Sequence, residues 1–273
     1  MKIQNKSSVS YMFRNFWQLF YITLPVSVLM AFFCNPSAEI RLFDMLLDGS
    51  LNRDNLLTSL ADAFTLLRFS NNWWIALIAL VCVAMAMCLL VVKVDRHMRI
   101  GEMPAFPLKR AVGIFPIMLL YILCWVAVME ACLLVAVGVV YLLRFVENVT
   151  VLVAISWALT FVVRALLTYM FGLLVMSFPL KYSENYRFNV AMSYSARTMS
   201  GKRRALVLLG LLFPIARLAT VAVGYLLQPY HLDVLAYAVA IFFGLTYVPC
   251  FAFKQYYDTV GGERRDVSRV MWR

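Results

Sequence analysis

The sequence predicts an all-α membrane protein: a polytopic bundle of six transmembrane helices in three similar pairs, built as one domain over residues 1–273. Three observations lead there. Hydrophobic residues make up 63% of the chain and charged residues 14%, against about 45–50% and about 25% in soluble domains. The apolar residues fall in long uninterrupted runs, which need lipid around them. The basic residues gather at alternate ends of those runs, the pattern of membrane topology.

Ser7 to Phe20 opens the chain as an amphipathic helix. Val9, Met12, Phe13, Phe16 and Phe20 recur at helical spacing, with Ser10, Arg14 and Gln18 opposite. It is expected to lie at the inner membrane surface and to run into the first span, about 17–34, which holds Pro25. That run lacks a small-residue cleavage site and reads as a retained anchor. Residues 35–72 form the longest segment outside the spans, and there Glu39, Asp44, Asp48, Asp54 and Asp62 outnumber the arginines. Within it Leu56, Leu57, Leu60, Ala61, Phe64 and Leu67 predict a second amphipathic helix folded against the outer face of the bundle.

Trp73 and Trp74 mark the outer interface and begin the second span, about 73–92. A basic loop with Lys93, Arg96, Arg99, Lys109 and Arg110 follows, broken by Pro104 and Pro107. The third and fourth spans, about 111–143 and 150–179, exceed the roughly 20 residues of an upright helix. Tilt or extension beyond the bilayer is expected. A large inner loop, 181–204, leads to the fifth span at about 205–227 and the sixth at about 234–253. Of the 25 Lys and Arg residues, 19 fall in the presumed inner segments and four in the outer ones. Both termini are therefore expected in the cytoplasm.

The odd-numbered spans align on their prolines as ITLPVSVLM, GIFPIMLLY and LLFPIARLA, around Pro25, Pro116 and Pro214. Each is entered through a basic or amphipathic segment and followed by a returning span. Three pseudo-repeated units of approach helix plus hairpin are expected, and repeat interfaces in membrane proteins often hold a midplane site. Prolines are also common in membrane helices, so chance alignment is the plain alternative.

Two stretches carry a resemblance: FPLKYSENYRFNVAMSYSARTMSGKRRALVLLGLL, in which a short helix ends in Ser-Gly before a cationic start, and the closing FAFKQYYDTVGGERRD. In them the chain resembles a group of bacterial six-span proteins similar to the membrane domain attached to some glycerophosphodiester phosphodiesterases. The resemblance implies a six-helix bundle in the bacterial plasma membrane. It brings no catalytic residues, because catalysis in the fused enzymes belongs to a separate soluble domain.

Three ionisable residues lie inside spans: Glu130, Arg164 and Arg217. Charges at that depth cost a few kcal/mol or more and are normally paired or face a cavity. Glu130 and Arg164 stand 17 residues either side of Glu147 in the outer turn, so a two-helix hairpin sets them at equal depth and an ion pair between them is expected. Two readings are open: a buried structural pair with Arg217 on carbonyls freed near Pro214, or a site for an anionic group such as a lipid phosphate. The structural pair is the plainer of the two. Lys109, Arg110, Lys202, Arg203 and Arg204 form an inner-surface basic patch suited to anionic lipids.

Catalytic signatures are missing. The cysteines (Cys34, Cys82, Cys88, Cys124, Cys132, Cys250) lie in or beside apolar runs and read as small buried hydrophobes. His97 and His231 are placed on opposite faces, so no metal or other cofactor is expected. No HExxH, phosphate-cradling glycine loop or GxSxG occurs. Asn148-Val149-Thr150 has the form of a glycosylation acceptor, at the tight end of a span where coincidence is the simpler reading. The leading expectation is a protein without enzymatic activity that binds lipid or a partner protein and supports envelope assembly or transport. The rival is a permease, or the membrane subunit of an ATP-driven transporter docked by a separate ATPase. Nucleic acid is not an expected partner, since the cations mark span ends.

Overall fold

The structure is a computed structural model that describes residues 8–33, 37–64, 73–101, 104, 107–143, 146, 148–230 and 232–260. The expected features at Ser7, Cys34, Leu67, Glu147, His231 and the tail from 261 onward lie outside the described residues. Eleven α-helices are described: α1 (Ser8–Arg14), α2 (Phe16–Phe33), α3 (Ser37–Leu47), α4 (Arg53–Phe64), α5 (Trp73–Ile100), α6 (Leu108–Leu142), α7 (Val149–Leu174), α8 (Ser177–Glu184), α9 (Phe188–Ser200), α10 (Arg203–Leu227) and α11 (Asp233–Val260). A 3-10 turn, Gln228–Tyr230, joins the last two. Five helices are long and apolar enough to cross a membrane, and a sixth is reached when α1 and α2 count as one bent span. The chain thus fits a multi-pass membrane protein.

The long helices form a ring. In order around it α2 packs on α5, α5 on α6, α6 on α7, α7 on α10, α10 on α11 and α11 back on α2. The sequence-adjacent pairs α2–α5, α6–α7 and α10–α11 therefore follow one another around the ring. At one end α3 and α4 form a cap. Leu42, Leu56, Leu60 and Phe64 bury against Val137 and Val140 of α6 and Leu152 and Val153 of α7. At the other end, the basic end, lie α1, α8 and α9.

Several boundaries differ from expectation. The presumed basic loop after the second span is helical as far as Ile100. Lysine and arginine do not break helices and suit a helix C-terminus, where they oppose the negative end of the dipole. The break comes at Gly101, whose φ of +83° is the left-handed cap that glycine adopts most easily. Its N–H donates to the His97 carbonyl at 2.9 Å. Helix α7 ends at Leu174, before Pro179, which falls in the first turn of α8, where a missing N–H costs nothing, and the candidate span runs through both helices to Glu184. Buried Ser195 of α9 bridges that break, donating to the Leu173 carbonyl at 2.7 Å and accepting from the Met176 N–H at 3.1 Å. Asn148 caps α7, its side chain accepting from the N–H groups of Thr150 and Val151.

The first approach helix departs from α2 at 90°, with Val9 and Phe13 exposed and Tyr11 and Met12 buried. The third unit is approached through α8 and α9. Before α6 the described residues Gly101, Pro104 and Pro107 are non-helical, so no approach helix appears there among the described residues. Pro104 and Pro107 cannot supply backbone donors. The repeat prolines also differ in setting: Pro25 and Pro116 are exposed, while Pro214 is buried.

Candidate functional site

Two helices must approach closely for the intramembrane arginines to meet. A side chain at Gly210 of α10 would lie 3.2 Å from the Ala165 carbonyl oxygen and 3.4 Å from the Tyr169 Cβ, both on α7. Small residues at such seams let helix backbones pack tightly. At Gly224, a side chain would meet Tyr237 of α11 at 3.3 Å and Ile40 of α3 at 3.4 Å. Those two glycines set α3, α7, α10 and α11 close together.

Glu39 of α3 sits where they converge, and it is fully buried. Its Oε1 lies 3.1 Å from the Arg217 Nη2 and accepts from the Arg217 Nε at 3.2 Å. Both terminal nitrogens of Arg164 lie 3.5 Å from the same oxygen. The Tyr237 hydroxyl donates to Oε2 at 3.4 Å. Arg164 also donates to the Phe64 carbonyl at 3.1 Å, a group at the C-terminus of α4 with no partner inside its own helix. One arginine therefore clamps both helices of the cap. The Arg217 guanidinium stands over the Tyr237 ring, 4.9 Å from its centre, a favourable cation–π placement.

This corrects the expected Glu130–Arg164 pair. Glu130 is buried on α6, but among the described residues the charged groups acting on Arg164 are Glu39 and Arg217. Equal distance from the turn sets depth; it does not set the direction a side chain takes around its helix axis. Arg217 does share the interior with Arg164, as expected.

A second carboxylate organises the basic end. Asp95 of α5 accepts from Arg99 at 2.7 Å, from the Tyr257 hydroxyl at 2.7 Å and from the Ser183 hydroxyl at 3.3 Å. Tyr256 donates to Glu184 at 2.6 Å. Lys202 of the basic patch donates to Gln255 at 2.7 Å and Thr259 at 3.1 Å, and burial holds its ammonium below the ordinary lysine range. Lysine 93 is buried and donates to the Gln18 carbonyl. The tyrosine-rich end of α11 thus ties together α5, α8 and the start of α10. Lys109, Arg110, Arg203 and Arg204 are exposed.

Inside the ring, toward the basic end, lies a cavity of about 200 Å³. Val83, Met87 and Val91 of α5 line one side, Met118, Tyr121 and Trp125 of α6 another, and Val248, Pro249 and Ala252 of α11 a third. Phe178 of α8 lines it too. Val83 to Val91 spans about 12 Å at 1.5 Å per residue. The neighbouring wall residue Phe253 meets the Tyr182 ring at 6.4 Å, and Tyr182 stands in the field of Asp95, Arg110 and Arg99. Such a space, apolar apart from the Tyr121 hydroxyl and the Trp125 indole, can hold an apolar ligand. Among the described residues no three His, Cys, Asp or Glu side chains gather as a metal site. The fold and these sites define the class as a multi-pass helical membrane protein. No family model, curated protein or solved structure matches the chain.

Proposed function

We propose that the chain is a six-span protein of the bacterial plasma membrane, with both termini cytoplasmic, that binds an anionic lipid and catalyses no reaction on it. It would serve envelope assembly or transport in an accessory role. The observation that carries this reading is the apolar cavity with cations beyond its basic end. An alkyl chain fits inside the ring, and a negatively charged headgroup meets Arg99, Lys109 and Arg110 at the inner interface, each charge adding about 1 kcal/mol near the surface. Tails toward the midplane and headgroup toward the cations is also the orientation of a lipid in that leaflet. The order of the three hairpins around the ring supports the threefold repeat, and the excess of inner cations supports the topology.

The test is native mass spectrometry of lipid retained after mild detergent extraction. Ala252→Phe, which fills the cavity from α11, is expected to lower retained anionic lipid several-fold with thermal unfolding little changed. Lys109→Ala/Arg110→Ala should remove the preference for anionic over zwitterionic lipid. Retention and preference unchanged in both variants would refute the reading.

A further inference from the structure

The inner end of α5 carries two different flanks. Asp95, paired with Arg99, meets Ser183 of α8 and Tyr257 of α11. Lys93 stands two residues earlier and so projects to the other side of the helix. That side faces the 90° elbow between α1 and α2. There the His97 ring and the Tyr11 hydroxyl of α1 share a hydrogen bond at 2.7 Å, and Lys93 donates to the Gln18 carbonyl of α2 at 3.0 Å. Arg96 follows Lys93 by three residues, the spacing that makes side chains neighbours on a helix.

This flank has cations and no acid. Neither α1 nor α2 contains an aspartate or glutamate. Among the described residues no carboxylate acts on Lys93 or His97, and the charge that reaches His97 is that of Arg14. Lys93 is only 6% exposed, and the Gln18 carbonyl fills one of the three donors of its ammonium. The Arg96 Nε is buried without a hydrogen-bond partner. A charge shut away without a counter-ion is costly, and a buried donor left open suits a ligand acceptor. Trp17, exposed at the start of α2, is of the residue type that prefers the level of lipid headgroups.

We propose that the α1–α2 elbow and the flank of α5 facing it form a binding site for a phosphate group. Lys93 and Arg96 donate to its oxygens, and Arg14 adds charge beside them. A tetrahedral ion with several acceptor oxygens meets the donors that a single carbonyl leaves open. The phosphate comes from an inner-leaflet phospholipid or from solution. The site does not rest on the apolar cavity, whose rim cations Arg99, Lys109 and Arg110 do not enter it.

Both arms of the test use the Lys109→Ala/Arg110→Ala background, so that the cavity's rim is silent. In neutral detergent, inorganic phosphate replaces chloride at matched ionic strength and pH while thermal unfolding is followed. Phosphate is expected to raise the midpoint by about 3 °C or more. Lys93→Met and Arg96→Met should each abolish the rise. Arg187→Met, the same loss of charge at the exposed start of α9, should keep it. The second arm compares nanodiscs of phosphatidylglycerol and of phosphatidylcholine without free phosphate. A higher midpoint in phosphatidylglycerol that Arg96→Met removes identifies a lipid headgroup as the source; a rise with inorganic phosphate only identifies a free anion. Should Lys93→Met fail to fold, Arg96→Met decides alone, because the Arg96 Nε has no partner to lose. No rise in either arm, or a rise that survives Arg96→Met, overturns the proposal.

Discussion

Glu39 and Asp95 are both carboxylates with side chains 1% exposed, at opposite ends of the same ring, yet they are held in different ways. Asp95 has short contacts with one guanidinium and the Tyr257 hydroxyl and a longer one with the Ser183 hydroxyl, and its arginine lies four residues away on the same helix. Its charge is balanced locally, and Arg99 keeps 48% of its side chain exposed. Glu39 has longer contacts with two guanidiniums brought from different helices. Its neighbours are more than 120 residues away in sequence. At the basic end the charge is balanced within one helix while hydroxyls arrive from distant segments; at the capped end the balancing charges themselves come from distant helices, and four helices depend on the junction.

The largest effect should follow from breaking that junction. Glu39→Gln leaves two guanidiniums facing a neutral group and is expected to destabilise by about 3–5 kcal/mol, read as the shift in denaturant unfolding in detergent. The corresponding change at the basic end, Asp95→Asn, keeps part of the hydrogen bonding and should cost about 1–3 kcal/mol. Tyr257→Phe removes one hydroxyl from the same carboxylate and should cost about 0.5–1.5 kcal/mol. If Asp95→Asn proves the more damaging of the two carboxylate changes, the contrast between local and long-range holding is wrong.

Much of this fold is legible in the sequence. Apolar run length locates all six long helices within a few residues of their ends, apart from α5 and α11, which extend into charged sequence that helices tolerate well. The amphipathic pattern Leu56, Leu60, Phe64 correctly places α4 against the bundle. The site is less legible. The two arginines stand out because charges inside spans are rare, and they do meet. Their partner hides in an acidic loop, where Glu39 looks like one solvated acid among five. A signal existed: two arginines against one acid inside the spans leave a cation unbalanced, and Glu39 is flanked by Ala38 and Ile40, which are buried with it. Asp95 and Glu184 stay hidden for the opposite reason, since at span ends acids and bases alike pass for topology signal. The cavity has no sequence signature, because it is the space that well-spaced helices leave and no residue pattern encodes it.

The junction at the capped end turns on which acid serves Arg164. Two double-mutant cycles on unfolding free energy decide it, Glu39→Leu with Arg164→Leu and Glu130→Leu with Arg164→Leu. Contacting charges couple by about 0.5–3 kcal/mol, whereas distant sites add to within about 0.5 kcal/mol. The structure predicts coupling for Glu39 with Arg164 and additivity for Glu130 with Arg164. Coupling confined to Glu130, with Glu39 and Arg164 additive, would contradict it.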